Sequence, residues 1–145
     1  MQLALDEARR AALAGEVPVG AVVTDGAGAV LAVAANRVEA AQDPTCHAEF
    51  LALSAARAAR GGKYLADCTL TVTLEPCAFC AGAIAAFRLG RLVFGAYDPK
   101  TGAVEHGPLL FTQPTTHHKP EIIGGVREQE SAALLREFFE ARRDA

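Results

Sequence analysis

The chain has 145 residues and a mass of 15.1 kDa, with 51% hydrophobic residues, 21% charged residues and a mean hydropathy of +0.18. That is one domain's worth of polypeptide with enough apolar surface for a core, which argues against disorder. A formal net charge of −3 speaks against a protein that coats nucleic acid through bulk electrostatics. Asp6, Glu7, Arg9 and Arg10 interrupt the run that a secretory signal would need, and no stretch approaches the length of a membrane span. Four cysteines, two of them spaced Cys77-x-x-Cys80, therefore point to metal or redox chemistry ahead of disulfides, and to the cytoplasm.

In chain order, the helical spacing of Met1, Leu5, Ala8 and Ala12 predicts a first helix that Gly15 ends. Val17 to Thr24 and Val30 to Ala35 are β-rich runs flanking Asp25-Gly26-Ala27-Gly28, a hairpin signal. After Asp43-Pro44, a helix is expected from Thr45 to Arg60, stopped by Gly61-Gly62. Cys68 to Leu74 reads as a strand, residues 76–87 as a helix opened by Pro76, and Leu92 to Gly95 as a short strand. The segment from Tyr97 to Pro120 is too long for a plain connector, so it is expected to face substrate or to hide a short helix near Leu109 to Phe111. A strand at Glu121 to Gly124 and a helix from Glu128 to Arg143 follow, the latter with an apolar stripe of Leu134, Leu135, Phe138 and Phe139. This alternation predicts one α/β domain over residues 1–145, a three-layer α/β/α arrangement with a central five-stranded mixed sheet and helices on both faces.

The chemistry concentrates in Thr45-Cys46-His47-Ala48-Glu49 and Glu75-Pro76-Cys77-Ala78-Phe79-Cys80. Cys77 and Cys80 share one face of a helix's first turn, where free N–H groups and the helix dipole favour thiolate. His47, near the start of its own helix, adds a nitrogen. One imidazole and two thiolates suit Zn²⁺ and leave a fourth tetrahedral position for water. Alone, the Cys-x-x-Cys pair equally suits a redox dithiol or half of a structural zinc knuckle. The conjunction of His-x-Glu with Pro-Cys-x-x-Cys is the zinc-deaminase signature, in which the glutamate moves protons and does not ligate. The charge count gives the reason. Zn²⁺ with two thiolates is formally neutral and acidifies water less than a tris-histidine site, so Glu49 is needed to carry a proton from water to a ring nitrogen and later to protonate the departing amine. Cys46 and Cys68 read as small core residues. His106, His117 and His118 read as solvated or substrate-contacting.

Beyond that signature, the chain resembles the bacterial tRNA-specific adenosine deaminases, a family of the cytidine-deaminase-like zinc enzymes. The resemblance runs through Gly15-Glu16-Val17-Pro18-Val19-Gly20-Ala21, Asn36, residues 43–49, Val72 to Cys77, Cys80-Ala81-Gly82-Ala83, Phe94 to Ala103 and Phe138-Phe139-x-x-Arg142-Arg143. It implies a cytidine-deaminase-like fold, one Zn²⁺ per subunit held by His47, Cys77 and Cys80, and Glu49 as the catalytic acid/base. It also implies conversion of adenosine to inosine at the wobble position of a tRNA anticodon, typically of an arginine tRNA, by a homodimer. The target base would be flipped out of the anticodon stem-loop to meet Asn36 and Ala48. Asp98 and Lys100 would contact sugar or phosphate, and Phe138, Phe139, Arg142 and Arg143 would stack and hold phosphate. Helical spacing alone argues instead that one of the two phenylalanines is buried in the core, and Asp98 has a second reading as a turn residue before Pro99. The rival functions are a deaminase of a free base or nucleoside, such as guanine or cytosine, and a non-catalytic zinc module.

Overall fold

The computed structural model describes residues 1–144; Ala145, the last residue of the expected domain, lies outside the described residues. The strands are Gly20–Thr24 (β1), Val30–Ala35 (β2), Thr69–Leu74 (β3), Arg91–Ala96 (β4) and Glu121–Ile123 (β5). They form one mixed sheet in the order β2-β1-β3-β4-β5. β1 runs antiparallel to β2 and β3, whereas β3, β4 and β5 are parallel. Helices Gln2–Leu13 (α1) and Glu128–Asp144 (α5) pack together on one face, and Ala48–Arg60 (α3) and Ala78–Ala86 (α4) pair on the other. This is the α/β/α layering expected from the alternation of periods. Among the described residues, no helix is long and apolar enough to cross a membrane.

β1 is apolar at successive positions rather than alternating because both its faces are covered. Ala21 and Val23 join the core with Ala52 and Leu53 of α3, while Gly20 faces the other way against α1. A Cβ on Gly20 would lie 2.0 Å from the Ala4 carbonyl oxygen and 2.6 Å from Ala8 N. Only glycine lets α1 approach this closely. Apolar Phe94, Leu70, Val72 and Leu92 are fully buried in the middle of the sheet.

The observed boundaries differ from the expected ones for local reasons. β1 starts at Gly20, not Val17, because Pro18 has no N–H for the ladder and Val19 N turns back to the Val17 carbonyl at 2.8 Å. α3 and α4 start at Ala48 and Ala78, two or three residues late, because His47 and Cys77 are extended caps. A single turn, Val38–Ala41 (α2), was not foreseen. The 97–120 segment does contain a short helical turn, at Leu110–Thr112, and it buries Ala103, Val104 and Phe111.

Candidate active site

The parallel strands end where α3 and α4 begin, which makes a crevice at the carboxyl ends of the sheet. His47 caps α3 in extended conformation (φ −73°, ψ 145°), and Cys77 caps α4 in the same way (φ −74°, ψ 176°). The chain turns sharply out of each loop, and both side chains face the crevice. Cys80 follows one turn into α4 and is fully buried. Nδ1 of His47 and the two sulfurs all lie within 4.8 Å of one another, and among the described residues neither Cys46 nor Cys68 joins this group.

The spacing suits a tetrahedral metal. With Zn–S at about 2.3 Å and Zn–N at about 2.0–2.1 Å, a tetrahedral angle puts sulfur about 3.5–3.6 Å from nitrogen. His47 Nδ1 lies 3.6 Å from Cys77 Sγ and 3.5 Å from Cys80 Sγ. Hydrogen bonding from the Cys80 thiol and then from His47 draws the Cys77 thiol down to about 4, close to the thiolate form that a metal requires. The same contact pushes the Cys80 thiol far up, and the Cys77 sulfur holds the His47 imidazole above its ordinary value. Two sulfurs and a ring nitrogen this close share protons among themselves, and a cation of charge two can replace those protons.

Glu49 lies two residues past His47, on the first turn of α3, and is 5% exposed. Burial pushes its carboxyl up to about 7, against the pull of its own backbone N–H. A carboxyl poised near neutrality beside the donor cluster suits proton transfer. His47, Ala48, Glu49 and Cys77 form the floor of a pocket of about 330 Å³, at the small end of ligand sites. Asn36 stands in its wall, donating to the Val17 carbonyl at 3.3 Å and accepting from Val38 N at 3.3 Å. Asp98, Phe138, Phe139 and Arg142 reach the same pocket from the other side. Lys100 and Arg143 stand outside it, in an adjoining hollow of about 720 Å³ that Tyr97 also lines.

Several expectations require correction. Neither phenylalanine is buried: Phe138 is half-buried and Phe139 is 47% exposed. α5 touches the sheet mainly through its first half, where Ser131 is its one buried residue among those described, so the stripe runs off the core and over the pocket. The Arg142 guanidinium donates to the Gly15 carbonyl and sits 4.6 Å from the Phe138 ring centroid, strapping α5 to the α1–β1 loop. Asp98 does act as a turn residue: Oδ1 accepts from Lys100 N and Thr101 N at 3.1 Å each, and Oδ2 accepts from Thr101 Oγ1 at 2.6 Å. His106 is not simply solvated, because its Nδ1 binds Glu75 at 2.8 Å. His118 Nε2 lies 2.6 Å from the Leu89 carbonyl oxygen, and His117 is exposed. Cys68 is buried as expected, whereas Cys46 is only half-buried.

Sequence reasoning missed two buried acids and an aromatic. Glu16 accepts from Glu39 N at 3.0 Å and Ala40 N at 2.7 Å, which fixes α2 and with it the Asn36 wall. Burial would raise the Glu75 carboxyl, but hydrogen bonds from Asp98 N, Glu105 N, His106 and Val104 N hold it below its ordinary value. Tyr97 is 40% exposed at the outer hollow, with its ring edge against Phe94 at 5.2 Å. Its place directly after β4 was the available signal.

Known proteins share this arrangement. Residues 1–96 match the family described as the cytidine and deoxycytidylate deaminase zinc-binding region. The chain is 49% identical over 144 residues to the tRNA-specific adenosine deaminase of Agrobacterium fabrum (strain C58), spanning 99% of this chain and 93% of that one. A tRNA:A34 deaminase structure, from a study of A-to-I editing at the wobble position of transfer RNA, matches with a TM-score of 0.91 and 48% identity over 93% of this chain and 97% of the other. The guanine deaminase of Nitrosomonas europaea matches with a TM-score of 0.81 at 25% identity, over 94% and 81% of the two chains.

Proposed function

The chain belongs to the cytidine and deoxycytidylate deaminase family, and from that membership we propose that it is a tRNA-specific adenosine deaminase, hydrolysing adenosine to inosine and ammonia at the wobble position of an anticodon. One observation carries the reading. A buried carboxyl, Glu49, stands beside a His47–Cys77–Cys80 cluster at the floor of a pocket sized for a single base, in a chain that aligns nearly end to end with tRNA-specific adenosine deaminases. The rival guanine deaminase shares the fold at about half that identity.

His47 Nδ1, Cys77 Sγ and Cys80 Sγ would hold Zn²⁺, one per subunit, and the ion would supply the Lewis acidity that makes water a nucleophile near neutral pH. The remaining steps fall to the chain's own groups. Glu49 takes the proton that the water releases, passes it to a ring nitrogen of adenine and so makes the amine-bearing carbon electrophilic. Once the water oxygen has bonded to that carbon, Glu49 takes the second proton from the added hydroxyl and gives it to the amine, whose C–N bond breaks to release ammonia as the carbon becomes a carbonyl. Asn36 and the Ala48 backbone orient the flipped nucleoside. Asp98, Lys100, Phe138, Phe139, Arg142 and Arg143 receive the anticodon loop.

A pocket for one base on a 15.1 kDa domain leaves most of a stem-loop uncovered, and a second copy of the chain supplies the missing surface as a homodimer. The whole chain, residues 1–145, works as one deaminase domain in the cytoplasm, on an arginine tRNA. The deciding experiment gives the zinc-loaded protein an anticodon stem-loop with a wobble adenosine and, separately, guanine, cytosine and cytidine. Inosine in the stem-loop alone is expected. Turnover of a free base alone would overturn the reading, and no turnover of any substrate would leave a zinc module.

A further inference from the structure

We infer that Glu75 is a positioning residue, a buried carboxylate that holds the substrate-facing 97–106 loop in register with the start of α4, and that His106 is the side chain completing its grip. The inference rests on the deaminase reading above for what the loop faces.

Glu75 directly follows β3 and stands two residues before Cys77. Its side chain is 0% exposed, and His106 is its one ionisable partner among the described residues. Oε1 accepts from Asp98 N at 3.0 Å and His106 Nδ1 at 2.8 Å, and Oε2 accepts from Val104 N at 3.2 Å and Glu105 N at 2.9 Å. A carboxylate has about four lone-pair positions, and here all are used. An acid that neither meets water nor pairs with a Lys or Arg is thus kept by loop backbone, with a charge-assisted bond at each donor.

The loop folds around this carboxylate at contact distance. A Cβ on Gly102 would lie 2.5 Å from both Cδ and Oε2 of Glu75, so a side chain there would drive the loop off. Gly102 also bridges Cys77 in antiparallel fashion, and Ala103 N donates to the Pro76 carbonyl at 2.9 Å. The consequence reaches the rim through a second carboxylate. Glu75 fixes the Asp98 amide, and the Asp98 side chain fixes the turn that presents Lys100 and Thr101. The element that brings Cys77 to the floor therefore also sets the place of the rim, and the loop need not be ordered when RNA arrives.

Three variants test this: Glu75→Gln, His106→Ala and His106→Asn. The Gln amide nitrogen cannot accept, so at least one loop N–H loses its partner in any orientation. His106→Ala removes one donor, whereas His106→Asn restores a donor, its amide nitrogen, near the Nδ1 position. Each variant is read for zinc content, for kcat and KM on the stem-loop, and for amide hydrogen exchange of the RNA-free protein at Asp98, Val104 and Glu105. We expect Glu75→Gln to raise KM about tenfold and His106→Ala about threefold, with kcat within about twofold. Zinc content should be unchanged, exchange at the three amides faster, and His106→Asn close to wild type. Zinc loss, a fall in kcat at constant KM, unaltered exchange, or equal behaviour of the Ala and Asn variants would each overturn the inference. Should Glu75→Gln not fold, the His106 pair carries the same test. If the wild-type protein fails to deaminate the stem-loop, the function reading falls, while exchange in the free protein still decides whether Glu75 clamps the loop.

Discussion

The floor of the pocket and its rim are built by different means. The floor residues His47, Glu49, Cys77 and Cys80 sit at the starts of α3 and α4, whose inner faces are packed solid by Ala48, Ala52, Leu53, Ala81 and Ile84. Once the helices dock, the four groups have nowhere else to go. The rim is made of the end of α5, which Arg142 ties to Gly15 across 127 positions, and of the 97–106 loop, which hydrogen bonds to the one buried carboxylate of Glu75 hold in place. Chemistry needs donors fixed to a fraction of an ångström, whereas recognition of an RNA loop tolerates adjustment, and the packing is distributed accordingly.

Perturbing the floor should therefore abolish turnover without touching affinity. Stripping the metal with a chelator should bring deamination to background, Zn²⁺ should restore it, and Cys80→Ala should not recover on adding Zn²⁺; metal analysis beside a stem-loop assay checks this. Next in size, Glu49→Gln should lower kcat by about 100- to 10,000-fold while keeping one zinc per chain and wild-type affinity for the stem-loop. Loss of zinc from that variant would make Glu49 a ligand instead of a proton carrier.

The same division decides how much could be read from the sequence. The spacing His47-x-Glu49 and Cys77-x-x-Cys80 is local, and each half is placed by a helix start whose flanking Pro, Gly and apolar pattern are themselves local signals. The central strand β1 was readable because a sheet covered on both faces leaves a continuous apolar run, Ala21 to Val23. Glu75 was not readable as a clamp, because three of its four donors are backbone amides up to 30 residues away, and nothing in a side chain announces a backbone partner. The stripe Leu134, Leu135, Phe138 and Phe139 misled for a related reason. Periodicity shows that a helix has an apolar face, and only the docking of α5 through its first half shows that this face runs past the core and over the pocket.

At the rim, Phe139 is the largest exposed apolar group that reaches the pocket. A base stacked on it is worth about 1–3 kcal/mol, so Phe139→Ala should weaken stem-loop binding by about 5- to 150-fold, with kcat at saturating RNA near wild type. Titration of the Glu49→Gln protein, which binds without turning over, gives the affinity directly. A fall in kcat at unchanged affinity would place Phe139 in the floor's work.

The smallest effect separates charge from structure within the rim. Arg143 is exposed beside Lys100 in the outer hollow, whereas Arg142 already commits its guanidinium to the Gly15 carbonyl and the Phe138 ring. Each phosphate contact steepens the fall of log K with log salt by just under about one for a duplex and less for a single strand. Arg143→Ala should therefore flatten that slope by up to about one and weaken binding only a few-fold at low salt. Arg142→Ala should leave the slope nearly as it is and act instead by loosening α5 from the α1–β1 loop. Fluorescence anisotropy of a labelled stem-loop across a salt series distinguishes the two. If Arg142→Ala flattens the slope as much as Arg143→Ala does, Arg142 releases Gly15 when RNA binds, and the rim is shaped by its ligand rather than waiting for it.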